Sequence, residues 1–313
     1  MSSSPHPEQS LRLGTRRSPL AMAQAEETRA RLLAVHPGLA VVIVPVTASG
    51  DKVLDRPLAE IGGKALWTKE LDAWLLGGEI DIAVHSAKDV ETERPDWLTI
   101  AAVLPREDVR DVLVGAASLA ALPPGARIGT SAPRRAAQAL HLRPDCSVVM
   151  FRGNVQTRLA KLDAGEAEVT LLAAAGLNRL GQTGVGAPLD PQHWLPAPGQ
   201  GAIAIECRTE DAATRVLLAG IDHLPSRHAV MAERALLAAL GGNCHSPIAV
   251  LTQAAGTDLT MRAAIFSPDG RERVDAEHRF APGDHAGPAA LAADLLAQAS
   301  AAIRAHFSGP EGG

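Results

Sequence analysis

The sequence predicts an α/β protein with parallel sheets, followed by a smaller α+β unit at the carboxyl end. Short apolar strands alternate with helical stretches over the first two thirds of the chain, a pattern typical of parallel sheets covered by helices on both faces. After Ser226 the pattern changes to helix, hairpin and helix. With 313 residues, the chain is long enough for two or three domains.

The predicted strands are short runs rich in Val, Ile and Leu. In the first two thirds of the chain they cover residues 11–14, 39–46, 80–85, 98–103, 112–115, 126–130, 147–151, 168–174 and 202–207. In the last third, residues 259–266 and 273–280 are predicted to pair as a hairpin across a Ser-Pro-Asp-Gly turn.

Capping residues mark three predicted helix starts. Ser18 precedes Pro19, which suits the first helical position. Asn154 and Ser226 each precede a helical pattern, and the second of these patterns ends at the glycine pair 241–242. We therefore expect helices to begin at all three capping residues.

Two segments look like connections between units. Residues 105–111 are rich in charge, and residues 186–201 are rich in proline and glycine, as is typical of linkers. Domain boundaries are predicted at both places, with a further one before Ser226.

Composition excludes several classes of protein. The formal net charge of −5 argues against a nucleic-acid or anionic-membrane partner. No apolar run approaches the length of a membrane span, and the first ten residues lack the profile of a secretory signal, so a cytoplasmic protein is expected. Three widely spaced cysteines suit a reducing compartment, and no metal-ligand spacing is present, so no metal site is predicted.

Arginines recur where predicted strands end and helices begin. Five polar loops stand at such positions, covering residues 14–19, 85–90, 129–135, 151–158 and 174–179, and all but the second contain arginine. In open parallel sheets, ligands bind beyond the carboxyl ends of the strands. Arginine at a helix start opposes the helix dipole, and a bound anion would remove that conflict. The loops predict a polyanion site; the alternative interpretation is a set of solvated surface arginines.

Two further positions carry reactive groups. Lys88 and Asp89 stand together at a strand end, where the carboxylate could stabilise a cation or move a proton, or could form an ordinary surface ion pair. Cys244 follows the glycine pair 241–242. Its thiol is a candidate nucleophile, and the alternative is a small buried apolar residue.

Together these segments resemble the porphobilinogen deaminase family. The resemblance is carried, in order, by LRLGTRRSPLA, VPVTASGD, GGKALWTKEL, DIAVHSAKDV, GTSAPRR, FRGNVQTRL, AAAGLNRLG, LPAPGQGAIAIECR and ERALLAALGGNCHSPI. It covers nearly the whole chain apart from the two tails.

The resemblance implies two doubly wound domains like type II periplasmic binding proteins and a small α+β domain. The expected limits are 10–104 with 202–222 for the first domain, 109–198 for the second and 226–308 for the third, with flexible tails at 1–9 and 309–313. It also implies a monomer.

The implied activity is that of a hydroxymethylbilane synthase, a transferase of haem and other tetrapyrrole biosynthesis. Such an enzyme condenses four porphobilinogen molecules into the linear tetrapyrrole hydroxymethylbilane and releases ammonia at each addition. A dipyrromethane cofactor, joined to a cysteine through a thioether, serves as the primer.

Motif by motif, the resemblance assigns catalysis to Asp89 and cofactor attachment to Cys244. It implies cofactor or substrate contacts for a further set: Arg16, Ser18, Trp67, Ser86, Lys88, Thr130, Ser131, Arg134, Arg135, Arg152, Arg158, Arg179 and Gln200. This agrees with the anion site predicted from the loops, because porphobilinogen carries two carboxylates and guanidinium binds carboxylate in a bidentate way.

The chain departs from common family motifs at a few positions: Glu91, Ala132, Pro133 and Asn243. Two other functions remain open at this point. One is a non-enzymatic anion-binding protein of the periplasmic type. The other is a phosphate-handling transferase without a covalent cofactor, although the usual nucleotide-binding motifs are absent.

Overall fold

A computed structural model describes residues 10–46, 68–243 and 245–307. The first part of the chain contains β1 (Leu11–Arg16), α1 (Pro19–Val35), β2 (Val41–Val46), α2 (Lys69–Gly77), β3 (Ile82–Ser86) and β4 (Leu98–Val103). The middle part contains β5 (Asp111–Val114), β6 (Arg127–Gly129), α3 (Pro133–Leu142), β7 (Ser147–Val149), α4 (Val155–Asp163), β8 (Val169–Ala173), α5 (Ala174–Arg179) and β9 (Ala187–Pro188). The last part contains β10 (Ile203–Arg208), α6 (Ala212–Ala219), α7 (Leu224–Ala239), β11 (Ile248–Ala255), β12 (Asp258–Phe266), β13 (Arg273–Phe280), α8 (Ala286–Gln298) and α9 (Ala301–Arg304).

The first sheet has the strand order β2-β1-β3-β10-β4. Strand β1 pairs in parallel with β2 and β3, whereas β10 runs antiparallel to both of its neighbours, β3 and β4. The expectation of a wholly parallel sheet was therefore wrong for β10. This strand arrives after the chain has passed through the second sheet, and it enters the first sheet from the opposite end.

The second sheet repeats this plan with the order β7-β6-β8-β5-β9. Strand β6 pairs in parallel with β7 and β8, while β5 runs antiparallel to β8 and β9. In the second sheet, the antiparallel strand is β5, the first strand of that sheet along the chain. The chain thus crosses between the sheets twice, through residues 104–110 and residues 189–202.

The third unit is an antiparallel sheet, β11-β12-β13, packed against α7 and α8. The predicted hairpin is confirmed by the register between β12 and β13. Strand β11 was not predicted, because its first five residues are all buried and a continuous apolar run has no alternating pattern. With this sheet, the predicted fold class of two doubly wound α/β domains and a smaller α+β domain is confirmed.

Two of the three predicted helix starts are confirmed. The Ser18 side chain accepts a hydrogen bond from the Ala21 amide at the start of α1, and Asn154 caps α4 in the same way. The prediction that Ser226 caps α7 was wrong. The helix begins at Leu224, with a proline in its first turn, and its cap is His223, three residues before Ser226. The Ser226 hydroxyl instead accepts the Arg106 amide at 2.8 Å.

A buried carboxylate on α7 joins the two crossover segments. Glu233 is fully buried and pairs with the Arg106 guanidinium through two contacts of 2.8 and 2.9 Å. It also accepts the amides of Gly199, at 2.7 Å, and Thr252, at 3.0 Å. One side chain of the third unit therefore holds both crossovers and its own strand β11.

Candidate functional site

A cavity of about 660 Å³ lies between the first two sheets and the third unit. Its walls include the loops that follow β1, β3, β6 and β7, together with residues of β8 and α5 and the second crossover. The structure thus brings the five predicted loops to one cavity, as expected for the carboxyl ends of parallel strands. The third unit contributes residues from α7 and from the loop after it.

The cavity wall is strongly cationic. Arginine and lysine side chains from all three units line it: Arg16, Arg17, Lys88, Arg134, Arg135, Arg152, Arg158 and Arg234. Among the described residues of the wall, Asp89 carries the one carboxylate. In a chain whose net charge is −5, such a concentration of positive charge makes the cavity a site for anions.

Lys88 and Asp89 lie in a short 3-10 helix, Ala87–Asp89, directly after β3. Burial, together with the charge of Arg135, lowers the pKa of Lys88 to about 8 against the opposing effect of Asp89. Both side chains are half-buried and line the cavity. The amine therefore loses its charge more readily than an ordinary lysine unless an anion binds beside it.

Arg134 and Arg135 are predicted carboxylate contacts, and the structure pairs both with Asp111. Their guanidinium groups contact the two Asp111 oxygens at 2.8 and 2.7 Å, and both side chains are almost fully buried. Burial alone would raise the pKa of Asp111, but the two arginines outweigh it and hold that pKa well below its usual range. The remaining hydrogen bonds of the arginines go to the Leu195 and Leu171 carbonyls.

Sequence reasoning missed Asp111 as a part of the site. It lies in the charged segment that was interpreted only as a boundary, and nothing in its neighbourhood marks it as buried. Gln200, a predicted contact, joins the same cluster by donating to Asp111 and to the Val109 carbonyl, both at 2.8 Å. Trp194 donates to Asp111 at 2.7 Å. The cationic wall is thereby tied to both crossovers.

Arg152 lies in the loop after β7, and Arg158 lies near the start of α4. Arg152 is 6% exposed and lines the cavity. Arg158 donates from Nε to the Gly153 carbonyl at 3.0 Å. Burial lowers the pKa of Arg158 to about 10, and the charge of Arg135 adds to the effect. A bound carboxylate would offset this crowding of positive charge.

Two predicted contacts are engaged with the protein itself. The Arg179 side chain pairs with Glu27 at 3.1 Å and donates to the Gly201 carbonyl at 3.1 Å. Thr130 is 2% exposed, and its hydroxyl accepts the Ala132 amide at 3.1 Å. Neither residue is among those that line the cavity.

The predicted serines occupy three different settings. Ser18 lines the cavity while capping α1. Ser86 lines it too, and exchanges hydrogen bonds with the buried Gln24 side chain at 2.9 and 3.3 Å. Ser131 is exposed on the wall. Arg16 is the last residue of β1, two positions before Ser18, and it also lines the cavity.

Cys244 and Trp67 lie outside the described residues. The residues on either side of position 244, Asn243 and His245, line the cavity. The other two cysteines are buried, and burial raises the pKa of each thiol, to about 11 for Cys207. Cys146 and Cys207 are therefore poor nucleophiles.

The described residues contain no group of three or more His, Cys, Asp or Glu side chains arranged to hold a metal ion. Within the same ranges, no helix combines the length and apolar character needed to cross a membrane.

Comparisons with known proteins cover nearly the whole chain. The family model described as "Porphobilinogen deaminase, dipyromethane cofactor binding domain" matches residues 11–216, and the model "Porphobilinogen deaminase, C-terminal domain" matches residues 228–298. A porphobilinogen deaminase of Sphingopyxis alaskensis is 56% identical over 312 residues, covering 96% of this chain and 98% of the relative. That of Paracoccus denitrificans is 49% identical over 313 residues, covering 98% and 99%.

Among solved structures, the periplasmic aliphatic sulphonate binding protein SsuA from Escherichia coli aligns with 74% of this chain and 70% of its own chain. The identity is 15% and the TM-score is 0.41.

Proposed function

This chain belongs to the porphobilinogen deaminase family, and we propose that the cationic cavity is its active site, with Asp89 as the catalytic residue and Cys244 as the point of cofactor attachment. The protein is a hydroxymethylbilane synthase, a transferase that condenses four porphobilinogen molecules into hydroxymethylbilane on a dipyrromethane primer and releases ammonia. The family match excludes the two alternatives, a non-enzymatic anion-binding protein and a phosphate-handling transferase.

One observation carries the assignment of the site: cationic side chains surround a cavity in which Asp89 is the one carboxylate among the described wall residues. Each porphobilinogen brings two carboxylates, so substrate and product are polyanions. Guanidinium groups bind carboxylates through paired hydrogen bonds. We propose that Arg16, Lys88, Arg152 and Arg158 bind substrate carboxylates, with Ser18, Ser86 and Ser131 as neutral donors.

The proposed role of Asp89 is to stabilise positive charge that develops on the substrate. When ammonia leaves porphobilinogen, the substrate becomes a cation delocalised over its pyrrole ring. A carboxylate at this point stabilises that cation and accepts hydrogen bonds from pyrrole N–H groups. Lys88, whose pKa is about 8, can hold a substrate carboxylate while charged and can release a proton at neutral to mildly alkaline pH.

The residues of the wall fit the cofactor, because a two-ring dipyrromethane carries four carboxylates and the cations around the loop at 241–246 can neutralise them. When bound, the cofactor supplies the free pyrrole carbon to which the first substrate is joined. Cys244 is supported as the attachment point by its neighbours Asn243 and His245, which line the cavity. Trp67 is retained as a proposed aromatic contact.

Five of the predicted contacts are proposed to affect ligands mainly by holding other parts of the site in place: Arg134, Arg135, Arg179, Gln200 and Thr130. Each makes hydrogen bonds to other parts of the protein. They set the shape of the wall, and the first two add their charge to it.

Three domains are proposed with the limits 10–104 plus 202–222, 109–198 and 226–308. The three separate sheets support this division. We further propose a monomer in the cytoplasm that has no nucleic-acid or membrane partner.

The intact mass of the purified protein tests the site. The wild-type protein should weigh more than its bare polypeptide by one dipyrromethane, and Cys244→Ala should lose the added mass. Asp89→Asn should keep the added mass, while turnover falls by about 10³-fold or more because the carboxylate charge that stabilises the substrate cation is lost. An added mass that persists in Cys244→Ala would refute the attachment, and near wild-type turnover in Asp89→Asn would remove Asp89 from the mechanism.

A further inference from the structure

The segment that follows Asp89 is bonded to the loop that contains position 244. Thr92 donates a hydrogen bond from Oγ1 to the Gly242 carbonyl oxygen, at 3.1 Å. Gly242 stands two residues before position 244, and its neighbour Asn243 lines the cavity. A side-chain hydrogen bond thus joins the Asp89 segment of the first unit to the loop of the third.

Arg234 holds the same segment from α7. Its guanidinium donates to three consecutive carbonyls, those of Val90 at 3.2 Å, Glu91 at 2.5 Å and Thr92 at 3.1 Å. Three bonds to successive carbonyls are satisfied together only in one backbone conformation. Because α7 runs directly into the loop at 241–246, this arginine also fixes the segment relative to that loop.

Arg94 fastens the far end of the segment to the first unit. Its side chain is 8% exposed and lies 2.8 Å from Glu206 on β10 and 2.6 Å from Asp72 in α2. The same guanidinium lies 3.3 Å from Glu91. Paired hydrogen bonds to carboxylates restrict both distance and orientation. The segment from Val90 to Arg94 is therefore held at both ends and from one side.

On the other side of the contact, the residues that flank position 244 are hydrogen-bonded to one another. The Asn243 amide donates to the Ser246 hydroxyl at 3.0 Å, and the His245 amide donates to the Asn243 side chain at 2.8 Å. Gly242 packs so closely that a Cβ there would lie 2.7 Å from a Leu237 methyl group. A displacement of the Gly242 carbonyl is therefore passed to the residues beside position 244.

We propose that Thr92 is a positioning residue, which sets the distance between the Asp89 carboxylate and the group carried at position 244. The inference rests on the proposed function, since it takes Asp89 and Cys244 as the two fixed points of the reaction. Thr92 stands three positions after Asp89, at most about 10 Å along an extended chain. A shift of about 1 Å between reacting groups is enough to slow chemistry strongly.

Thr92→Val and Thr92→Ser form a matched pair for the test. Valine removes the hydroxyl with little change in shape, whereas serine keeps it. In Thr92→Val, amide hydrogen exchange of the peptide covering 240–247 should become about 5- to 10-fold faster, as expected for one lost hydrogen bond. The intact mass should still include the dipyrromethane. KM for porphobilinogen should stay within about twofold while kcat falls about 5- to 10-fold.

Thr92→Ser should restore both exchange and kcat. Unchanged exchange at 240–247 in Thr92→Val would overturn the coupling of the two loops, and so would an equal loss in the serine variant, which would assign the effect to packing. If the wild-type protein lacks the added mass, the proposed function fails instead. The exchange measurement needs no turnover, so it still decides whether Thr92 links the two loops.

Discussion

Asp111 organises one side of the cavity wall through a single buried carboxylate. It accepts hydrogen bonds from Arg134, Arg135, Trp194 and Gln200 at distances of 2.7 to 2.8 Å. Buried charges depend on their partners, because removing one partner leaves the others in a low-dielectric interior. The two arginines therefore owe their position in the wall to Asp111.

Asp111→Asn should destabilise the protein by about 3–5 kcal/mol, since it leaves two buried guanidinium groups without a counter-charge. Urea unfolding measures this, with Asp108→Asn as the control. Asp108 pairs with Arg110, whose side chain is 44% exposed, so its loss should cost less than about 1 kcal/mol. Because folding lowers the pKa of Asp111, its contribution is present above the ordinary value of 3.8 and is lost as the pH falls through the folded pKa. Similar losses in the two variants would contradict this account.

Lys88 should give the enzyme an alkaline limit. Its pKa of about 8 means that the cation is present below that pH and is lost above it, so substrate carboxylates bind less well as the pH rises. We expect kcat/KM of the wild-type protein to decline above about pH 8, and Lys88→Arg to keep its charge and move the decline upward by at least about one unit. If kcat/KM declines at the same alkaline pH in the wild-type protein and in Lys88→Arg, a group other than Lys88 causes the decline.

At the scale of secondary structure, helix α7 positions the site more than its sequence suggests. Glu233 accepts hydrogen bonds from Arg106 in the first crossover and from the Gly199 amide in the second, while Arg234 donates to the backbone carbonyls after Asp89. Adjacent residues on one helix thus hold the two crossovers and the segment that follows Asp89. The third unit therefore supports both crossovers as well as carrying position 244.

Glu233→Gln should cost about 3–5 kcal/mol of unfolding free energy, because a neutral amide cannot balance the buried Arg106 guanidinium. Glu277→Gln is the matched control on the same unit. The Glu277 side chain is 57% exposed and lies 3.7 Å from Arg262, so the expected cost is below about 1 kcal/mol. Equal denaturation midpoints for Glu233→Gln and the wild-type protein would show that the carboxylate charge is not required.

The sequence predicted most strands and the loops of the site, because buried β-branched runs and capping residues leave local patterns. Ser18 and Asn154 cap helices as expected. The direction of β10 was not predictable, since strand orientation depends on where the chain returns from. The pairing of Arg134 with Asp111 spans 23 residues and leaves no local signal. The arginine-rich loops were correctly predicted to meet, whereas the partners that some of those arginines choose required the structure.

At the scale of the whole molecule, the first two units touch directly at the edge of the cavity. Glu27 on α1 pairs with Arg179 on α5, and Gly176 of α5 packs close to Leu20 of α1. The Arg179 guanidinium also reaches the Gly201 carbonyl in the second crossover. This ion pair therefore links the first two units directly.

Glu27→Gln should loosen that contact. One half-buried ion pair contributes up to about 1 kcal/mol, which corresponds to a change of about fivefold in the ratio of molecules with and without this contact. Distances between spin labels at positions 33 and 142, on the first and second units, would report it as a larger separated population. Glu26→Gln is the control, because Glu26 pairs with Arg29 within α1. Equal distance distributions for the two variants would rule out a role for the ion pair in holding the first two units together.

The order of strands also governs how the protein is made. The second sheet uses a contiguous stretch, from Asp111 to Pro188, whereas the first needs both Leu11 and Arg208. During synthesis the ribosome delivers every strand of the second sheet before β10 emerges, so the inner unit is free to fold while the outer one still lacks an inner strand. A chain that ends near residue 200 and has been released from the ribosome should therefore resist protease across the second unit while its amino-terminal hundred residues are still cut.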